Sequence, residues 1–315
     1  MDLTIGLDIG GTKVAAGVVD SDGHIVEKLK RSTPAADPGR TADVIAAVIT
    51  ELSGRHPVRA VGLGAAGFIN AAQSSVMFAP NLAWRDEPLK KRVEGLVGLP
   101  VVLDNDANAI AWGEVRYGAA RGRDHVVMLA VGTGIGCGIV IGGQLYRGSF
   151  GMAGEPGHYR VVPNGRLCGC GNRGCFEQYA SGSALVAEAR EFARQRPAGA
   201  IRLLQLGGGT PEGIGGPQVT QAAREGDPAA LHCFQAVGRW LGQGMADMAA
   251  ILDPGCFVIG GGVSEAGDLL IAPARAAYED ALTGRGHRPL ADVRAAELGP
   301  DAGLVGAADL ARQIL

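Results

Sequence analysis

Residues 3–19, LTIGLDIGGTKVAAGVV, read as an apolar strand, a Gly-Gly-Thr-Lys turn and a second apolar strand. Leu3–Ile9 and Val14–Val19 carry the two runs, and a third strand, Ile25–Leu29, follows the turn Asp20–Gly23. The chain therefore opens with a β-meander. A Gly-Gly pair suits a tight hairpin in any protein. It equally lets the N–H groups of Gly10, Gly11 and Thr12 converge on a phosphate. A Walker A loop is excluded, because that motif leads from a strand into a helix. The pattern returns at residues 125–141, HVVMLAVGTGIGCGIVI, as strand His125–Val131, turn Gly132-Thr133-Gly134 and strand Ile139–Ile141. One copy in each half fits a two-lobed phosphotransferase with a phosphate loop from each lobe; the alternative is coincidence in a glycine-rich chain.

Composition sets the outer limits. At 315 residues the chain is long enough for a large core and two domains. It is 47% hydrophobic and 19% charged with a formal net charge of −3, which offers no electrostatic case for nucleic acid or an anionic membrane. No apolar run approaches the roughly 18–20 residues of a membrane helix. The first residues, MDLTIGLDIGG, lack the basic and apolar regions of a signal peptide, so a cytoplasmic location is expected. Glycine, at 51 residues, has roughly twice its usual share. It falls in short clusters at strand ends, where a backbone can approach a ligand closely.

Outward from the opening hairpin, strands alternate with helices. Thr41–Leu52 reads as an amphipathic helix, and Val58–Leu63 as a strand ending in GAAGFIN, residues 64–70. Asn81–Trp84 reads as a loop. Pro88–Val97 reads as a helix with proline at its start. Strand Val101–Leu103 runs into DNDANAIAWGE, residues 104–114. There Asp106 stands before the helical pattern Ala107–Gly113, as an N-cap or as a general base whose charge the helix N-terminus favours. Asn105 beside it offers both a donor and an acceptor. Later come helix Ser181–Arg196, a glycine-rich surface excursion Pro197–Pro217, and helices Val219–Glu225 and Ala229–Leu252. Strand Cys256–Ile259 ends in Gly260–Val263, and helix Leu269–Leu282, strand Val293–Ala296 and helix Gly303–Ile314 follow. The long apolar helix Ala229–Leu252 is a candidate interface for a homo-oligomer, a dimer or tetramer.

Three of the six cysteines cluster. His158, Cys168, Cys170 and Cys175 fall within GMAGEPGHYRVVPNGRLCGCGNRGCFEQ, residues 151–178, flanked by Glu155 and Glu177. Three thiolates and an imidazole suit tetrahedral zinc, with no open position and so a structural role. A disulfide across Cys168-Gly-Cys170 would be strained. Cys137, Cys233 and Cys256 stand alone in apolar surroundings and read as buried hydrophobes.

DIGGTK, NDANAIAWGE, GTGIG, GMAGEPGH, CGCGNRGCFEQYASG and GGGV occur in this order along almost the whole chain. The set resembles the ROK family of bacterial sugar kinases, and most its actinobacterial-type ATP glucokinases. That resemblance implies an α/β fold of two actin-like (ribonuclease H-like) lobes with a central cleft. The lobes would be residues 1–107, with helix 303–315 packing back on them, and residues 108–302, carrying the zinc loop. It implies transfer of the ATP γ-phosphate to a sugar hydroxyl, O6 of glucose, with Asp106 as the base. Gly67, Asn105, Glu155, His158 and Glu177 would hold the sugar. Asp8, Gly11, Thr12 and Lys13 would serve the phosphates and Mg²⁺, joined by Thr133 and Gly134, with Gly261 and Gly262 near the adenosine. His158, Cys168, Cys170 and Cys175 would bind zinc. Cys137, where many relatives carry glycine, and Pro156 are small departures. Rival readings are another hexose such as N-acetylmannosamine, fructose or mannose, polyphosphate as donor, and a sugar-sensing regulator. The regulators of this family carry a helix-turn-helix ahead of the first motif, for which a motif beginning at Asp8 leaves no room.

Overall fold

In the computed structural model, residues 2–315 are described. Strands β1 (Leu3–Ile9), β2 (Lys13–Val19) and β3 (Ile25–Ser32) form the opening meander, followed by α1 (Pro38–Ser53) and β4 (Val58–Ala65). A small sheet of β5 (Phe68–Ile69), β6 (Val76–Phe78) and β7 (Arg85–Glu87) precedes α2 (Leu89–Val97), β8 (Val101–Asn105) and α3 (Asp106–Tyr117). The second meander is β9 (Val126–Val131), β10 (Ile135–Ile141) and β11 (Gln144–Leu145). Then come α4 (Glu177–Ala180), α5 (Gly182–Gln195), α6 (Ile201–Leu206), α7 (Gly216–Arg224) and α8 (Pro228–Leu252). The chain ends with β12 (Cys256–Gly260), α9 (Asp268–Ala281), β13 (Asp292–Ala295) and α10 (Ala302–Arg312).

The sequence repeat is a structural repeat. One five-stranded sheet runs β3-β2-β1-β4-β8 and the other β11-β10-β9-β12-β13, the same spatial order. In the first, an antiparallel meander supplies three strands and the parallel strands β4 and β8 extend it; in the second, β10 and β11 pair antiparallel and β12 and β13 parallel. By contacts the chain divides into two compact units. The first comprises residues up to Met128, Cys137–Gly154 and Ala296–Leu315; the second, Leu129–Gly136 and Glu155–Ala295. Residues 2–107 and 303–315 lie wholly in the first unit, which also takes in all of α3.

In the first unit β1 is buried along almost its whole length, which is why it reads as a continuous apolar run rather than an alternation. Edge strand β3 alternates and carries Glu27, Lys28, Lys30 and Arg31, charges that blunt a free edge. Ile45, Val48, Ile49 and Leu52 of α1 pack with Leu89 and Val93 of α2 on the core formed by Ile5, Leu7, Val61 and Leu63. Each such buried side chain contributes about 1.5–3 kcal/mol. α10 comes back onto this unit at backbone distance. A Cβ on Gly62 would lie 1.8 Å from Ala307 O, and one on Gly6 1.9 Å from Leu304 O. Thr4 Oγ1 donates to Ala308 O at 2.8 Å. The same helix meets α3, where Asp309, 3% exposed, accepts from Trp112 Nε1 at 2.8 Å.

Several expectations need correction. Asp106 is not the N-cap of α3. Asn105 is, its Oδ1 accepting from Ala107 N and Asn108 N, and Asp106 is the first helical residue. Residues 197–217 are not a plain excursion, since they contain α6 and the start of α7, whose propensity signal was masked by the flanking glycines. The apolar length of α8 is spent inside its unit, with residues such as Phe234, Leu241 and Met245 buried. Gly238 and Gly242 of α8 let α9 approach to backbone distance. That removes the argument for α8 as an interface. Cys137, Cys233 and Cys256 are buried, as their apolar context implied.

Gly62→Ala puts a methyl into the Ala307 carbonyl. The expected cost is about 1–3 kcal/mol or more, read as a lower midpoint in urea unfolding with unchanged far-ultraviolet dichroism.

Candidate active site

In the first unit the polar residues converge on the junction of β8 and α3. Asn105 uses its carbonyl oxygen to cap α3 and its Nδ2 to donate to Gly67 O at 3.1 Å. Asp106 Oδ1 accepts from its neighbour Ala107 N at 2.9 Å. Desolvation pushes the Asp106 carboxyl up to about 6, the negative Asp8 adds to the rise, and the N–H groups of the helix start oppose it. Asp8, next to last in β1, is likewise raised by burial, against the pull of Lys13 and Lys28. Two partly desolvated carboxylates that feel one another are thus held at the end of the parallel strands. Ligands of open α/β sheets bind at this edge.

Thr12 in the β1–β2 turn and Lys13 at the start of β2 are exposed. Gly11 answers a different demand: a Cβ there would lie 2.6 Å from Asn81 O. At this position glycine serves packing, whatever else it does. Gly67 is also tightly placed, with Phe78 O 2.7 Å from a would-be Cβ.

In the second unit the histidine and three cysteines come together, their ligand atoms all within 4.8 Å of one another. Tetrahedral zinc with S and N ligands requires S–S edges of about 3.8 Å and S–N edges of about 3.6 Å, from bond lengths near 2.3 and 2.1 Å. Cys170 Sγ and Cys175 Sγ lie 3.7 Å apart, and Cys168 Sγ and His158 Nδ1 3.6 Å. The donor set and its spacing fit zinc. Burial pushes the Cys168 thiol up to about 12, and Cys168 Sγ donates to Glu177 Oε1 at 3.0 Å. The ring nitrogen facing the sulfurs is Nδ1, which leaves Nε2 outside the cluster. Glu155 stands one residue before the short 3-10 turn Pro156–His158 that presents the histidine, and its carbonyl accepts from His158 N at 3.1 Å.

Glu177, at the start of α4, is wedged between this cluster and the β9–β10 turn. A Cβ on Gly134 would fall 2.4 Å from Glu177 Oε2. Gly134, expected among the phosphate contacts, is therefore the space that Glu177 occupies.

The second unit also holds a cleft of about 1230 Å³. Gly132 and Thr133 line one part, and Gly262 and Val263 another. Gly261 does not line it; its φ of +83° and the Val131 carbonyl, 2.6 Å from a would-be Cβ, demand glycine. Two walls were missed from sequence. α5 presents Ser183, Val186, Ala187 and Arg190, and α7 presents Pro217, Thr220, Gln221 and Arg224. Each set is spaced i, i+3, i+4, i+7, one helical face, so the periodicity was legible but its orientation was not. Arg190 Nε is anchored to Ile214 O at 2.8 Å and Arg224 Nη2 to Glu265 O at 2.9 Å.

Residues 4–314 match the ROK family. A glucokinase of Streptomyces coelicolor is 53% identical over 99% of this chain and 98% of its own length. The crystal structure of a ROK family glucokinase from Streptomyces griseus, in complex with glucose and AMPPNP, superposes with a TM-score of 0.89 at 54% identity, covering 99% of both chains. An N-acetylmannosamine kinase of Escherichia coli is 35% identical over 98% of each chain.

A carboxyl whose folded pKa lies above its unfolded value contributes stability that is fully present below the unfolded value and is lost as pH rises through about 6. Asp106→Asn is therefore expected to raise Tm relative to the parent more at pH 8 than at pH 4. In a carboxyl NMR titration, Asp8→Asn should lower the Asp106 midpoint while leaving it above the ordinary aspartate range.

Proposed function

The chain belongs to the ROK family, and on that footing we propose how its residues act as an ATP-dependent glucokinase, passing the γ-phosphoryl group to O6 of D-glucose and releasing glucose 6-phosphate and ADP. The observation that carries the assignment of the base is Asp106. Its carboxylate sits at the first turn of α3 with a pKa lifted to about 6, matched to accepting a proton near neutrality. As the O6–phosphorus bond forms and the bond to the ADP oxygen breaks, the hydroxyl proton passes to Asp106. Phosphoryl transfer has a loose transition state, so placing O6 and neutralising phosphate charge do most of the work.

Asn105 Nδ2, Gly67, Glu155, His158 Nε2 and Glu177 would hold the sugar hydroxyls. Carboxylates accept from two hydroxyls at once and so read ring stereochemistry. The nucleoside would lie in the cleft between the α5 and α7 faces, by Gly262 and with Gly261 shaping its strand end; Thr133 and Gly132 would meet the phosphates, with Gly134 giving Glu177 its place. Gly11, Thr12 and Lys13 would serve the phosphates from the first turn. A magnesium ion accompanying ATP would neutralise phosphate charge, and Asp8 is the carboxylate suited to hold its water shell.

The cysteine cluster would hold zinc through Cys168, Cys170, Cys175 and His158 Nδ1. With four protein ligands its part is structural, fixing the ring so that Nε2–H points away from the metal as a donor. A cysteine cluster spaced for metal ligation fits a reducing, cytoplasmic setting. Among the described residues no helix is long and apolar enough to cross a membrane.

Release of ADP from Mg-ATP, measured across glucose, mannose, fructose and N-acetylmannosamine and with polyphosphate as alternative donor, tests the activity. Glucose is expected to lead. Sugar binding without ADP release would instead mark a regulator. Asp106→Asn is expected to lower kcat at least 100-fold with glucose binding retained; a variant keeping a tenth of the turnover would remove Asp106 as the base. For the parent, kcat/KM should fall as pH drops through about 6, because the base must be ionised. Cys168→Ser should lose bound zinc and raise the glucose KM together. A metal-free variant with normal KM would sink the pocket-shaping role.

A further inference from the structure

Immediately before the two residues assigned to sugar and proton stands Asp104, which is 2% exposed. Its carboxylate receives five donors. Oδ1 accepts from Asn105 N at 2.8 Å and from Asn108 Nδ2 at 2.9 Å. Oδ2 accepts from Gln73 Nε2 at 3.1 Å, and from Arg147 Nε and Nη2 at 2.9 and 2.6 Å. These donors come from three separate stretches of the first unit. Gln73 lies in the turn between β5 and β6, where its φ is +50°, and it also donates to Leu103 O at 3.2 Å. Arg147 lies in the loop after β11, which is closed by Ala153 N donating to Arg147 O at 3.0 Å. That loop is seated on the same turn, because a Cβ on Gly151 would lie 2.6 Å from Ile69 O and 2.7 Å from Ala71 N.

A buried ion pair is weak evidence for stability, since the desolvation of two charges offsets most of their attraction. What it does supply is geometry. Both guanidinium N–H groups meet Oδ2 from a rigid planar fork, while Asn105 N and Asn108 Nδ2 hold Oδ1, so each oxygen of the carboxylate has its own fixed donors. Here the fixed carboxylate in turn holds the backbone N–H of Asn105 and the side chain of Asn108, one residue on either side of Asp106 and Ala107. We propose that Arg147 and Asp104 form a positioning pair: the guanidinium orients the Asp104 carboxylate, which sets the start of α3 and so the aim of Asn105 and Asp106. The inference rests on the roles given above to those two residues, and it assigns neither Arg147 nor Asp104 a contact with substrate.

The test is a double-mutant cycle read by kinetics and stability together. Arg147→Lys keeps the charge but loses the two-pronged grip. It is expected to lower kcat/KM for glucose by roughly 10–100-fold, the penalty of a misplacement near 1 Å, while KM for ATP, bound largely by the second unit, is unchanged. Arg147→Met alone leaves a buried carboxylate without its cation and should lower Tm. Adding Asp104→Asn to it removes both charges and should return Tm toward the parent, with kcat/KM for glucose still depressed. If kcat/KM recovers in the double variant along with Tm, or if Arg147→Lys keeps parental kinetics, the pair is merely structural and the proposal fails. That result is separable from failure of the base assignment. An Asp106→Asn variant that retains turnover overturns the base and leaves the Arg147 cycle readable; an inactive Asp106→Asn beside a fully active Arg147→Lys overturns only the positioning pair.

Discussion

The first unit depends on one backbone-to-backbone contact. At Gly6 and Gly62 α10 lies against β1 and β4 with room only for the carbonyls of Leu304 and Ala307. The same helix crosses α3 just as closely, with Gly306 against Ala109 O and Gly113 against Ala302 O. Sheet, α3 and α10 are therefore one stack, and at these glycines its spacing cannot relax by rotamer changes because backbone meets backbone. Asp309 then ties α10 to Trp112 and Arg116 of α3. This stack fixes the axis of α3, and the N-terminus of α3 carries the assigned chemistry.

At that N-terminus two demands oppose each other. Burial and the negative Asp8 disfavour a charged Asp106, while the helix start and Ala107 N favour it. The outcome is a carboxyl poised near neutrality, useful to a base and costly to the fold at the pH where it works. Asp104, two residues earlier, has different surroundings, its carboxylate accepting from five donors. Two residues apart, the two carboxylates are given separate tasks by their surroundings.

The glycines divide in the same way. The sequence shows glycine clusters at four strand ends and leaves open whether each serves a ligand or a turn. Gly262 borders the cleft with open space about it, as a ligand contact requires. Gly11, Gly134 and Gly261 instead make room for Asn81, Glu177 and Val131. A pattern of residue types cannot separate these uses, because both ask for the absence of a Cβ.

Much was determined by sequence alone. The two strand–Gly/Thr–strand units foretold a repeated hairpin, one in each half, because local apolar runs and turns fix hairpins without long-range help. The spacing of His158, Cys168, Cys170 and Cys175 foretold the cluster, since it lies within one short loop. Asn105 and Asp106 stood out because a strand end followed by a helix start is locally encoded. Tertiary structure alone decided which of them caps α3, that Arg147 reaches Asp104 across 43 positions of sequence, and that the faces of α5 and α7 wall one cleft. Those facts depend on where separate elements come to rest, and the packing that sets it leaves no mark in the local pattern of residues.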